Sequence, residues 1–211
     1  RSPGEILAIR GDFCARPLTR FAQPAVARNF LSIRAPLRQS DGMALLLVVC
    51  GVTGTGKTTV GKLIVERCGG AFHDADDYHS QASIAKMRSG RPLSDADREH
   101  WLDALADLLA SRADHPANTI LACSALRRSY RQRLAAAAPG RVHFALLSGD
   151  RQLILERMQS RRDHFMPPDL LDSQLATLEV DHDCPQFDIA PPPGEVAAAI
   201  IHQYPALCQP A

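Results

Sequence analysis

From residue 45 onward, short apolar runs alternate with stretches in which apolar residues recur at helical spacing. Leu45–Cys50 is an unbroken apolar run ended by Gly51, the pattern of a strand buried on both faces. Beyond a glycine-rich loop, Val60, Leu63, Ile64 and Arg67 keep the helical period across Thr58–Arg67, and Gly69-Gly70 stops it. "AFHDADDYH" reads as a short strand ending in an acidic loop, and a helix follows near Gln81–Arg88, closed by Gly90. Ser94 with Asp97 three residues on forms a capping-box pattern for a helix carrying Trp101, Leu102, Leu105, Leu108 and Leu109. "NTILACS" is a third strand, and "LRRSYRQRLAAAA" a helix ended by Pro139-Gly140. "VHFALLS" is a fourth strand, with a helix over Arg151–Ser160. A basic loop, "RRDHFMPPD", precedes a helix with Leu170, Leu171, Leu175 and Leu178; "QFDIA" is a fifth strand and "PPPGEVAAAIIHQY" a turn and terminal helix. This alternation predicts right-handed crossovers and an α/β fold with a parallel sheet covered by helices on both faces.

Residues 1–42 break the pattern. They hold seven Arg against Glu5, Asp12 and Asp41, contain Pro3, Pro17, Pro24 and Pro36, and show no sustained period. They are expected to be a disordered extension, a presequence, or a stretch translated from upstream of Met43, with one domain over 43–211. The other 169 residues carry 17 basic and 20 acidic side chains, a weakly acidic body that argues against nucleic acid as partner. No apolar run approaches the ~20 residues that span a bilayer, so no membrane helix is expected. Six cysteines lack any C-x-x-C pair. The expectation is a reducing, cytoplasmic setting with neither a disulfide framework nor a zinc site, and with Cys50 and Cys123 as small buried hydrophobes.

The loop after the first strand carries the chemistry. Gly51-Val52-Thr53-Gly54-Thr55-Gly56-Lys57-Thr58 fits G-x-x-x-x-G-K-[ST] at every fixed position, and Thr59 follows on the helix. Glycines let backbone N–H groups turn inward round phosphate oxygens, and the helix start adds partial positive charge. Lys57 would reach the β- and γ-phosphates, and the Thr58 hydroxyl would bind the Mg²⁺ between them. The loop is read as a nucleoside triphosphate site.

In an open parallel sheet the second substrate also binds beyond the carboxyl ends of the strands. The second strand runs into "HDADDYH", with Asp74, Asp76 and Asp77, where one carboxylate can take a proton from an acceptor hydroxyl and another can hold Mg²⁺. The plainer reading is an Asp-rich helix cap. In the third loop, Cys123-Ser124 stands where a hydrolysing ATPase often has an acidic metal residue, which argues against a motor or translocase.

"GVTGTGKTTVGK", "FHDADDYHS", "KMRSGRPLSDADREHWL", "ACSALRRSYR" and "RRDHFMPPDLLDSQLATLE" together resemble the gluconate kinases, small P-loop kinases similar in fold to shikimate and nucleoside monophosphate kinases. The resemblance runs from Leu45 to the C-terminal helix. It implies ATP-dependent phosphorylation of D-gluconate to 6-phosphogluconate, with gluconate as the small-molecule partner, a P-loop kinase fold with a five-stranded parallel sheet, a mobile lid, and often a homodimer. On that resemblance Gly51, Val52, Thr53, Gly54, Thr55, Gly56, Lys57, Thr58 and Thr59 match the ATP-phosphate loop. Asp76 matches the hydroxyl-orienting base, and Asp74 a metal-side carboxylate beside Thr58. Arg98 is the candidate for the gluconate carboxylate, since its planar fork suits two-bond binding. Ser124, Arg127, Tyr130 and Arg131 would line the sugar-acid site. Arg161, with Arg157 second, is the lid arginine expected to neutralise the transferring phosphoryl group.

The chain departs from the family pattern at three places. Asp163 stands where Gly is usual, Arg127 where Lys is usual, and Ser80 where Pro is usual. Two other readings stay open at this level: a related small-molecule P-loop kinase acting on shikimate or another sugar acid, and a nucleotide-binding regulator without catalysis.

Overall fold

The computed structural model describes residues 45–89, 91, 93–160, 168–181 and 184–208. The segment 1–42 and the basic loop 161–167, with Arg161, Arg162, Asp163 and His164, lie outside the described residues.

Five strands form one parallel sheet: β1 (Leu46–Cys50), β2 (Ala71–Asp74), β3 (Thr119–Ala122), β4 (Val142–Ser148) and β5 (Gln186–Asp188), in the order β2-β3-β1-β4-β5. Each β1 residue is fully buried, as its run of apolar residues requires in a strand covered on both faces. Leu46 pairs with Thr119 on one side and Val142 on the other, so β1 is the sheet's centre.

The side-chain alternation of β1 divides the core. Leu47 and Val49 pack with α1 (Lys57–Cys68), α5 (Arg151–Gln159) and α7 (Pro193–Gln203) through Val60, Ile64, Ile154, Val196 and Ile200. Leu46, Val48 and Cys50 face the other layer, α3 (Asp95–Arg112) and α4 (Arg128–Ala137), through Trp101, Leu105, Leu109 and Leu134. The Ser94–Asp97 capping box forms in full at the start of α3. Asp97 also accepts from Lys86 of α2 (Gln81–Arg88), and these partners hold its carboxyl well below the usual range. The helix after the basic loop, α6 (Pro168–Thr177), stops one residue short of Leu178.

The cysteine expectation is corrected. Cys68, at the end of α1, and Cys208, in the last turn of the described chain, form a disulfide with Cα atoms 4.4 Å apart. The two lie 140 residues apart, and only docking of the chain's end beside α1 brings them together, so no local spacing announces the pair. Cys50 and Cys123 are buried thiols as expected, and Cys184 joins them with its Sγ 3.5 Å from that of Cys50.

Candidate functional site

The carboxyl ends of β1, β2 and β3 meet at one cleft. The loop from β1 to α1 is held by its surroundings. Gly51 N–H donates to the Ser124 carbonyl (3.2 Å), Thr55 Oγ1 to the Val52 carbonyl (2.8 Å), and Thr53 N–H to Gln174 Oε1 of α6 (2.7 Å). Glycine is needed at Gly51 and Gly54 for two reasons. Their φ angles are +140° and +79°, and an added Cβ would lie 2.5 Å from the Leu147 carbonyl oxygen or 2.8 Å from Met158 Cγ. Gly56, the residue before α1, is in left-handed conformation and offers no side-chain cap, so the helix's positive end is presented to the cleft.

Lys57 leaves the first turn of α1, and its Nζ donates to the Val52 carbonyl across the loop (3.0 Å). Burial lowers its pKa, with Asp76, Cys123 and Asp74 acting in the opposite sense. Thr58 Oγ1 donates to Asp74 Oδ2 at 2.9 Å, so the phosphate loop and the acidic turn are in direct contact. Asp74 is also the cap of the short 3₁₀ turn Ala75–Tyr78, its other oxygen accepting from Asp76 N–H at 3.2 Å. The capping reading of the acidic run and the metal reading therefore fall on one carboxylate.

The Asp76 side chain is open to solvent, although the surrounding protein crowds it. That enclosure, and next the charge of Asp74, raise its pKa, while Lys57 and His79 draw it down. His79 Nε2 lies 4.0 Å from Asp76 Oδ1.

Arg98, near the start of α3, and Arg127, just before α4, come together on Asp95. Arg127 Nη1 donates to Asp95 Oδ2 (2.7 Å), Tyr130 OH to Oδ1 (2.8 Å), and Arg98 Nη1 lies 3.5 Å from Oδ1. The Tyr130 and Arg127 hydrogen bonds hold the Asp95 carboxyl below its ordinary pKa. Arg98 also depresses the pKa of His79, after burial, which puts it within electrostatic reach of the Asp76 side of the cleft.

Arg131 is not part of this wall. It is buried, donating to the carbonyls of Ala125, Leu126 and Glu179 and to Asp181 Oδ2. Both Nη groups are thus committed to protein acceptors and Nε is buried without a partner among the described residues, so the substrate-contact expectation gives way to a structural one. Arg131 braces the loop after β3, where Ala125 holds a positive φ of 39°, uncommon for a residue with a side chain. Ser124, half-buried, acts there through its carbonyl to Gly51.

On the far side of the phosphate loop lies a cavity of about 280 Å³, lined by Gly54, Gly56, Thr59, Arg157, Ile189, Pro191 and Pro193 among others. Arg157 Nη2 donates to the Ile189 carbonyl at 2.7 Å, which fixes it on this wall. Sequence reasoning took Pro191–Pro193 for a plain turn and passed over His79, Asp95 and Gln174. The place of the proline turn, directly after the fifth strand and hence at the sheet's ligand-binding end, was the signal for it.

A family model described as an AAA domain matches residues 46–180. A gluconokinase of Gluconobacter oxydans (strain 621H) is 45% identical over 139 residues, covering 65% of this chain and 76% of that protein. A probable gluconokinase of Dictyostelium discoideum is 42% identical over 141 residues, covering 64% and 70%. Among solved structures, a gluconokinase from Sinorhizobium meliloti 1021 superposes with a TM-score of 0.71 at 40% identity, covering 78% of this chain and 93% of that one.

Proposed function

The chain belongs to the gluconokinases, and from that premise we infer that it transfers the γ-phosphoryl group of ATP to the terminal hydroxyl of D-gluconate, giving 6-phospho-D-gluconate. One observation carries the site reading: the 2.9 Å contact between Thr58 and Asp74 puts the triphosphate loop against the turn that bears Asp76.

The chain's own groups divide the work. The loop Gly51–Thr59, through those of its backbone N–H groups not already given to Ser124 and Gln174, and the open start of α1 bind and orient the phosphates. Lys57 adds a positive charge where negative charge develops on the transferring group. Thr58 and Asp74 offer an alcohol and a carboxylate oxygen side by side, a hard donor pair suited to Mg²⁺, and would hold it there. That ion, when bound, would neutralise charge on the phosphates. Asp76 accepts the proton of the acceptor hydroxyl as that oxygen bonds to phosphorus and the bond to the ADP oxygen breaks. Arg98 and Arg127 read the acceptor's carboxylate, and the cavity beside Arg157 and Pro191 takes the nucleoside. Arg161 completes the site from the basic loop by resemblance alone.

The test is ADP release with Mg·ATP across gluconate, other sugar acids, shikimate and nucleoside monophosphates. Gluconate should give the highest kcat/KM. A higher value for shikimate or a nucleotide would overturn the acceptor, and no release with any acceptor would overturn catalysis itself.

A further inference from the structure

We propose that His79 is a positioning residue for Asp76, set by an aromatic clamp that Trp101 closes on both ends of the turn between them. The inference rests on Asp76 being the base and adds the means by which its carboxylate is aimed.

The turn Ala75–Tyr78 is short and its Asp76 side chain is exposed, so its own packing does little to fix the carboxylate. Two ends of the turn are nevertheless tied to one buried indole. At the start, Trp101 Nε1–H donates to the Ala75 carbonyl at 2.7 Å. At the end, the His79 ring lies flat on Trp101, with centroids 4.8 Å apart and planes 9° apart. His79 N–H also reaches back to the Asp76 carbonyl at 3.4 Å. Trp101 itself is anchored in the core layer of α3, so its edge and face transmit the position of that helix to the turn.

The imidazole then points its polar edge one way. The His79 side chain is 7% exposed, with Nε2 4.0 Å from Asp76 Oδ1. Its Nδ1 is buried without a hydrogen-bond partner among the described residues. The remaining polar outlet of the ring is therefore Nε2, toward the base. At 4.0 Å this is an electrostatic contact, which a small turn of the Asp76 side chain converts to a hydrogen bond. An Nε2–H donor there engages one carboxylate oxygen and leaves the other for the acceptor hydroxyl. Burial also favours the neutral ring, whose Nε2–H tautomer puts a donor at that edge without a full charge.

A packing role and a positioning role separate cleanly. His79→Phe keeps an aromatic face on Trp101 and removes Nε2; His79→Gln removes the ring and keeps a side-chain N–H. Both are measured in the full chain beside Asp76→Asn and the Asp76→Asn/His79→Phe double variant, with thermal midpoints taken for all. His79→Phe should lower kcat roughly 10- to 100-fold with the KM for ATP unchanged, as small misplacement of a reacting group does. His79→Gln should retain more turnover than His79→Phe, and His79→Phe should cost nothing further once Asp76 is Asn. Wild-type turnover in His79→Phe, or an equal loss in both Asp76 backgrounds, overturns the proposal. If His79→Gln does not fold, the double-variant cycle decides alone. Normal turnover in Asp76→Asn would sink the base assignment instead, so the two failures are told apart.

Discussion

The two halves of the proposed site are built in opposite ways. The phosphate half is nine consecutive residues, Gly51–Thr59, whose groups are mostly backbone and whose shape is enforced by neighbours. A carbon added at Gly51 would meet a main-chain oxygen of β4 at 2.5 Å, which cannot yield as a side chain can. The acceptor half is gathered from three separate segments, contributing Asp76 and His79, Asp95 and Arg98, and Arg127 and Tyr130. It is joined by side-chain contacts, with the Asp95 side chain 61% and that of Arg127 39% exposed. Surface ion pairs of that kind each contribute little to folding. The phosphate half is thus bound up with the core, while the exposed cluster of Asp95, Arg98 and Arg127 in the proposed acceptor half can change its chemistry with small consequence for stability.

That contrast can be broken by substitution. The largest effect is expected for Lys57→Ala, a loss of turnover on the order of 10²–10³ from removing a charge aimed at the transition state. A folded variant keeping more than half its turnover would take Lys57 out of the mechanism. Next comes Gly54→Ala, in which the new methyl must adopt φ +79° and press on Met158 and Ile154. It should raise the KM for ATP and destabilise the domain together, by about 1–3 kcal/mol in a denaturant titration. Intact stability there would mean that the loop is less dependent on α5 than the contacts imply.

In the acceptor half, Arg98→Lys should raise the gluconate KM by about 10-fold and leave kcat and the melting temperature near wild type, because a two-bond fork becomes a point charge. A matched fall in kcat would place Arg98 in the chemistry and blur the division. The smallest effect belongs to Asp95→Asn, which weakens the hold on Arg127 and Tyr130 without removing either. A change of roughly two- to fivefold in gluconate KM, fading as salt is added, is expected. A clear loss of melting temperature would instead show that this cluster supports the fold.

The same division explains what was legible beforehand. The element order, the parallel sheet and the capping box at Ser94 rest on local periodicity and nearest neighbours, and each is present in the fold. The phosphate loop was legible because its chemistry is contiguous. Asp95 was passed over because its meaning comes from Arg127 and Tyr130, 32 and 35 residues away. Arg131 was misjudged for the same reason: on a basic helix it looks like its neighbours, and only the position of Ala125, Glu179 and Asp181 sets it apart. His79 needed the stacking partner Trp101, 22 positions on, to become more than a scattered histidine.

The bridge between Cys68 and Cys208 has a consequence for cleavage and for assembly. It turns the stretch between them into a covalent ring that contains four of the five strands and the whole acceptor wall. A single proteolytic cut anywhere within that ring leaves both pieces attached, so a nicked molecule migrates as one chain until a reductant is added. Closing a ring of this size removes so many arrangements from the unfolded chain that the bridge stabilises the fold by about 2–5 kcal/mol. Its second half emerges from the ribosome only after every strand has been made, which makes the closed ring a record that the C-terminal end has docked.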